Sequence, residues 1–166
     1  MDIIQLASLL HDVDDRKIFE QKNEPFAVTT MRNLGCDENT ISKVIGIISK
    51  ISFKGTDTEI PDSLEGRIIQ DADRLDAIGA IGIARAFAYG GSKGRSMHNP
   101  EEKPQLDMDS EKYFSNKGTT VNHFYEKLLL LKDMMNTETG RRLAEDRHSY
   151  MEGFLQEFFE EWNGKK

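Results

Sequence analysis

A single cysteine, Cys36, excludes any disulfide within this chain. Such sparing use of cysteine fits a reducing compartment. No histidine lies near Cys36 in sequence to activate its thiol, so it reads as a small residue near a helix start. The chain also lacks a basic stripe. Its 22 lysines and arginines stand against 29 aspartates and glutamates, a net charge of −7, and nucleic-acid binding is not expected. A small anionic ligand stays open, because a bound metal ion supplies positive charge locally. No stretch approaches the ~20 apolar residues of a membrane span. No basic segment followed by an apolar one marks a signal peptide. The expectation is a cytoplasmic protein with no membrane contact. Internal repeats, low-complexity segments and convincing strands are absent as well.

What remains is helical periodicity. The 166 residues suit one domain, 1–166, long enough to bury a core unaided. Residues 3–12 read as a central helix, apolar on most sides: Ile3, Ile4, Leu6, Ala7, Leu9, Leu10. A second helix is expected over 25–34, with Pro25 in its first turn and Gly35 just past its end. Asp37 suits the N-cap of a third, whose stripe is Ile41, Val44, Ile45 and Ile48. Residues 52–61 read as a loop. A long helical pattern then runs from about Ser63 to Tyr89 through Leu64, Ile68, Ala72, Leu75, Gly79 and Gly82. Its glycines are expected to permit close helix approach. Residues 90–118 have no periodicity, and a stretch this long is a functional loop or a disordered one. Helices are expected again over about 119–135 and from Thr137. The latter carries Leu143, Met151, Phe154, Leu155, Phe158 and Trp162 as a packing stripe and stops at Gly164. The fold class is all-α.

Two constellations stand out. "LASLLHDVDD" ends an apolar run in His11, Asp12, Asp14 and Asp15. Imidazole and carboxylate are both good ligands for divalent metals. Adjacent helical residues diverge by about 100°, so both reach one ion only where the helix ends or distorts. The pair alone equally describes a helix C-terminus, where His meets the negative dipole end. "QDADRLDAIGAIGIAR" places Asp71, Asp73 and Asp76 inside an apolar pattern, with Asp73 and Asp76 on one face and Arg74 beside them. Carboxylates are rarely buried there unless paired or bound to metal.

"LLHD" followed by "ADRLDA" resembles the HD superfamily of metal-dependent phosphohydrolases. "ISFKG", "QDADRLDAIGAIGIARAFAYGG" and "HFYEKLLLLKDMMNTETGRRLAEDR" are most similar to its small stand-alone bacterial group, over nearly the whole chain. The resemblance implies an HD-domain helical bundle. It implies that His11, Asp12 and Asp73 hold a divalent ion such as manganese or magnesium, with Asp71 as competitor to Asp73. Asp15, three residues past the doublet, matches an acidic position that orients or deprotonates the attacking water. The implied substrate is a nucleotide or another phosphorylated metabolite, cleaved at a phosphomonoester or a pyrophosphate. Loop cations are expected on the phosphate side: Lys54 in "ISFKG", Lys93 and Arg95 in "GGSKGR", and more weakly Lys17. His123 either faces the substrate or packs the start of its helix. His98 is either a mobile surface residue or one that approaches the site.

One family feature is missing. The pattern places a histidine on a helix ahead of the doublet, and none of the ten residues before His11 is histidine. A shortened front, a substitute ligand from downstream or from a partner, or a site that has lost catalysis would each explain this. A shortened front is expected to expose an apolar face, which invites a homodimer. The alternative function is therefore an all-α module that holds a nucleotide or a partner without turnover.

Overall fold

The computed structural model describes residues 2–14 and 25–166. These form eight α-helices and a short 3-10 turn, with no strand among the described residues. The all-α expectation holds. The chain divides into two compact units, Met1–Phe53 with Thr58–Gln70, and Lys54–Asp57 with Asp71–Lys166.

The first unit holds α1 (Ile3–Leu10), α2 (Phe26–Asn33), α3 (Glu38–Ile48) and the opening turns of α4 (Leu64–Asp76). Both α1 and α2 pack on α3. Their core is Leu6, Ala7, Leu10, Ala27, Met31, Ile41, Val44, Ile47, Ile51 and Ile69. The boundaries follow local chemistry. Gly35 takes a left-handed φ of 77° just past α2. There the Gly35 amide donates to Arg32 O and the Cys36 amide to Met31 O, which closes the helix end. Asp37 caps α3 by accepting from the Thr40 amide. The helix α1 buries one face rather than most of its surface: Leu9 is 70% exposed. Gln70, fully buried, donates to Lys50 O and Glu59 O and so fixes this end of α4 against its own unit. Met31 is fully buried at the centre of the cluster. Met31→Ala is expected to lower unfolding free energy by about 2–5 kcal/mol, measured by urea titration.

The second unit holds the end of α4, then α5 (Gly79–Ser92), α6 (Ser110–Ser115), α7 (Thr120–Glu126), a 3-10 turn (Leu128–Leu130) and α8 (Glu138–Trp162). The expected helix over 63–89 is two helices. The chain turns at Ala77 and Ile78, where Gly79 adopts φ 78°. A Cβ on Gly82 would lie 2.2 Å from Ala77 O, so Gly82 lets the turn fold back on α5. Apolar spacing continues through the break, which is why periodicity alone bridged it. The expected helix over 119–135 is likewise shorter. Lys127 leaves helical geometry, and the chain continues in i→i+3 turns that bury Leu128 and Leu131.

Residues 90–118 are more structured than expected. The helix α5 runs on to Ser92, and α6 forms within the stretch. The remainder is tied to α7. Amides of Thr120 and Val121 donate to Ser96 O and Met97 O, and Asn122 Nδ2 donates to Glu102 O. Buried Glu126 accepts from the Gln105 amide and from Asn116 Nδ2. On α8, Met151 and Leu155 are buried, while the ends of the expected stripe, Leu143 and Trp162, stay exposed. Phe154 and Phe158 meet Phe87 of α5 at 5.9 and 6.3 Å between ring centroids. His98 is no mobile surface residue: its ring stands edge-on to Phe158, Phe159 and Trp162. Gly164, φ 65°, closes α8 as expected.

Candidate functional site

The "LLHDVD" stretch ends α1 in a turn, so His11 and Asp12 stand where the helix ends. His11 Nδ1 lies 2.9 Å from Ser8 O. A carbonyl only accepts, so Nδ1 carries the proton and donates. In the neutral ring the lone pair is then on Nε2. That atom is 3.3 Å from Asp12 Oδ2. The geometry suits an ion pair when the ring is protonated. It equally suits two donor atoms offered to one cation when the ring is neutral. The neighbouring Asp14 is used differently. Its carboxylate accepts from the amides of Phe26 at 2.6 Å and Ala27 at 2.9 Å, satisfying the first turn of α2. Asp15 and Lys17 lie outside the described residues.

In the second unit the four charged residues of "DADRLD" have separate environments. Asp71 is buried at 3% exposure and accepts four hydrogen bonds. They come from the Asn136 amide (2.8 Å), Asn136 Nδ2 (2.9 Å), the Thr137 amide (2.8 Å) and Thr137 Oγ1 (2.7 Å). A carboxylate has about four lone-pair sites, and here all are engaged. The competing ligand candidate is thus engaged by Asn136 and Thr137, just ahead of α8, where Thr137 is the N-cap. Asp73 is half-buried. Arg74 is buried and donates through Nη1 to Met134 O, while its Nη2 has no hydrogen-bond partner among the described residues. Burial pulls the Arg74 guanidinium below the usual arginine range, and Asp71 and Asp73 oppose that pull. Asp76 is exposed and paired with Arg85.

The other expected site residues also fall in the second unit. Lys93 Nζ and Arg95 Cζ both approach the Tyr89 ring, at 5.6 and 5.9 Å from its centroid. Arg95 also donates to Asn116 O at 3.0 Å, so it helps hold its own loop. Lys54 sits in a segment clipped to another loop: the Thr56 amide donates to Met108 O and Asp57 accepts from the Ser110 amide. His123 is half-buried on α7. Tyr113 was not anticipated. Its hydroxyl is pushed above the usual tyrosine range by desolvation, with Arg95 opposing and Glu126 reinforcing the shift. An aromatic within an aperiodic stretch gave no signal of this.

No family model matches the sequence. YpgQ of Bacillus subtilis is 38% identical over 161 residues, covering 93% of this chain and 70% of that protein. A crystal structure from Lactobacillus plantarum, 36% identical, matches 98% of this chain and 76% of its own with a TM-score of 0.87. A crystal structure from Bacillus thuringiensis, described as an HD-superfamily hydrolase, is 43% identical. It matches 97% of this chain and 73% of its own at a TM-score of 0.70.

The chain belongs to the HD superfamily.

YpgQ has also been crystallised in complex with ADP. That structure is 37% identical to this chain, covers 96% of it and 73% of its own length, and superposes at a TM-score of 0.70. Within the HD frame, His11 fits a metal ligand in one specific respect. Ligating histidines usually give their second ring N–H to a carbonyl or a carboxylate, which fixes the tautomer. The His11–Ser8 bond does this. Among the described residues no group of three His, Cys, Asp or Glu side chains is gathered as a metal site. Nor is any described helix long and apolar enough to cross a membrane.

Proposed function

We propose that this HD protein is a divalent-metal-dependent phosphohydrolase whose substrate is a nucleotide. The observation that carries this reading is the His11–Asp12 turn, with its fixed Nδ1–H tautomer and its carboxylate 3.3 Å from Nε2. The ADP complex of YpgQ supports the substrate class. In the proposal His11, Asp12 and Asp73 hold the ion, manganese or magnesium. When bound, such an ion polarises a phosphate and acidifies water. Asp15 takes the proton from the water that attacks phosphorus, and the P–O bond to the leaving group breaks. Lys54, Lys93, Arg95 and His123 bind the phosphates. Lys93 and Arg95 both approach the Tyr89 ring, which supports their acting together.

The test is a manganese titration of the chain and of Asp73→Ala, followed by phosphate release from nucleoside di- and triphosphates. One ion per chain, lost in Asp73→Ala, with manganese-dependent phosphate release, is the expected result. Manganese binding that Asp73→Ala leaves intact would overturn the ligand set. Nucleotide binding without phosphate release would point to the non-catalytic module instead.

A further inference from the structure

The end of α8 carries a chemical motif that the proposed function does not use. Asn163–Gly164 is the only Asn-Gly pair in the sequence. In such a pair the glycine nitrogen can attack the asparagine side-chain amide, because glycine has no Cβ to crowd the approach. Both residues are exposed, and open space lies beside Gly164. The folded helix nevertheless closes off the attack. Asn163 has ψ 3°. Ring closure needs Cβ and the Gly164 nitrogen nearly eclipsed about the Cα–C bond, and at that ψ tetrahedral geometry holds them about 120° apart. Asn163 Nδ2 also donates to Phe159 O at 2.7 Å. The Gly164 amide donates to Glu161 O at 3.0 Å and the Lys165 amide to Glu160 O at 2.9 Å, the paired bonds of a helix stop. Two fastenings hold this turn. Lys166 Nζ pairs with Glu157 at 2.6 Å and with Glu160 at 2.8 Å. The His98 ring packs edge-on to Phe159 and Trp162, at 5.2 and 5.1 Å between centroids. The segment that carries His98 is itself tied down, since Ser96 O and Met97 O accept from the amides of Thr120 and Val121.

We propose that Asn163–Gly164 is a deamidation site, held shut by the last turn of α8 with His98 and Lys166 as its fastenings, and opened when that turn frays. The Gly164 nitrogen loses its proton and attacks Asn163 Cγ. A C–N bond forms, the bond from Cγ to Nδ2 breaks, and ammonia leaves carrying a proton in place of the one lost. Water then opens the succinimide to aspartate or isoaspartate, so water is the only co-reactant. Either product lacks the Nδ2 bond to Phe159 O. Either also places a new negative charge at the negative end of the helix dipole. The modified turn therefore frays more readily, and the change loosens the packing of His98 in one direction only.

The experiment is incubation of the full chain in mildly alkaline buffer, folded and in denaturing urea, with aspartate and isoaspartate at residue 163 followed by peptide mass spectrometry. The variants are His98→Ala, Lys166→Ala, Met151→Ala and Asn163→Gln. Only the open fraction reacts, so the folded parent should deamidate about tenfold or more slowly than the same chain in urea. His98→Ala and Lys166→Ala should react faster than the parent when folded and at the parent's rate in urea. Met151→Ala, at a buried position of α8 away from the last turn, should lower stability and leave the folded rate unchanged. Asn163→Gln should give no product there, which ties the signal to this residue. If the parent gives no product in urea, the pair is not a deamidation site. If folded and denatured parent react alike, the turn protects nothing and the proposal falls. It falls too if neither His98→Ala nor Lys166→Ala speeds the folded reaction, or if Met151→Ala speeds it as much, since exposure would then come through global unfolding. If His98→Ala does not fold, Lys166→Ala, a change at an exposed pair, decides.

Discussion

Asp71→Ala is expected to lower the melting temperature by about 10 °C. The carboxylate accepts four hydrogen bonds at 2.7–2.9 Å in a buried setting. Truncation leaves four donors behind, two of them backbone amides at the start of α8. It also removes one of the two carboxylates that support the buried Arg74 charge. Taking one partner from a buried charged network costs about 3–5 kcal/mol, mostly because the remaining groups stay desolvated and unpaired. For a domain of this size each kcal/mol shifts the midpoint by about 2–4 °C. The control is on the same helix. Asp76 is exposed and paired with Arg85, and an exposed pair contributes about 0–1 kcal/mol. Asp76→Ala should therefore melt within a few degrees of the parent, by about that measure. Calorimetric scans of the two variants decide the matter. Equal melting temperatures would mean that the Asp71 network does not carry the stability assigned to it.

That contrast also shows where sequence reading reaches its limit. Asp71, Asp73 and Asp76 look alike on paper: three aspartates in one apolar pattern. Only the packing separates them, because the partners of Asp71 lie about sixty-five residues away, at Asn136 and Thr137. Signals confined to a few residues were legible. Gly35 and Gly164 stop helices through a left-handed φ, and Asp37 and Thr137 cap them through hydrogen bonds three residues away. Signals that depend on distant chain were not. The break at Gly79 is hidden because apolar spacing runs through it. The packing of His98 on α8 depends on Phe158, Phe159 and Trp162, far along the sequence. The order within 93–109 comes from α7 and from the buried Glu126, not from any pattern of the loop's own. The place of His11 and Asp12 at a helix end was legible because that pattern is local, an apolar run stopping in a histidine and carboxylates.

Asp12→Ala and His11→Ala are each expected to reduce manganese-dependent nucleotide hydrolysis by about 10³-fold or more. The magnitude follows from the proposed role. Outer-shell partners already alter metal sites by about 10–100-fold, and a direct ligand contributes more than its support. A loss of 10³ corresponds to about 4 kcal/mol of transition-state stabilisation. Asp14→Ala is the informative comparison, since it removes a carboxylate only two residues further on. Asp14 is committed to the first-turn amides of α2, so its loss should resemble loss of an N-cap, about 1 kcal/mol of stability. Measured where the variant is folded, Asp14→Ala should turn over within about tenfold of the parent, the lower bound for a supporting position. Asp12 and Asp14 share one turn, one charge type and an exposed setting. A general electrostatic effect of the acidic turn would therefore affect Asp12→Ala and Asp14→Ala alike. Equal activity losses in these two would remove the special role given to Asp12. A deep loss in His11→Ala and Asp12→Ala, with Asp14→Ala spared, is what a metal held by Nε2 and the Asp12 carboxylate requires.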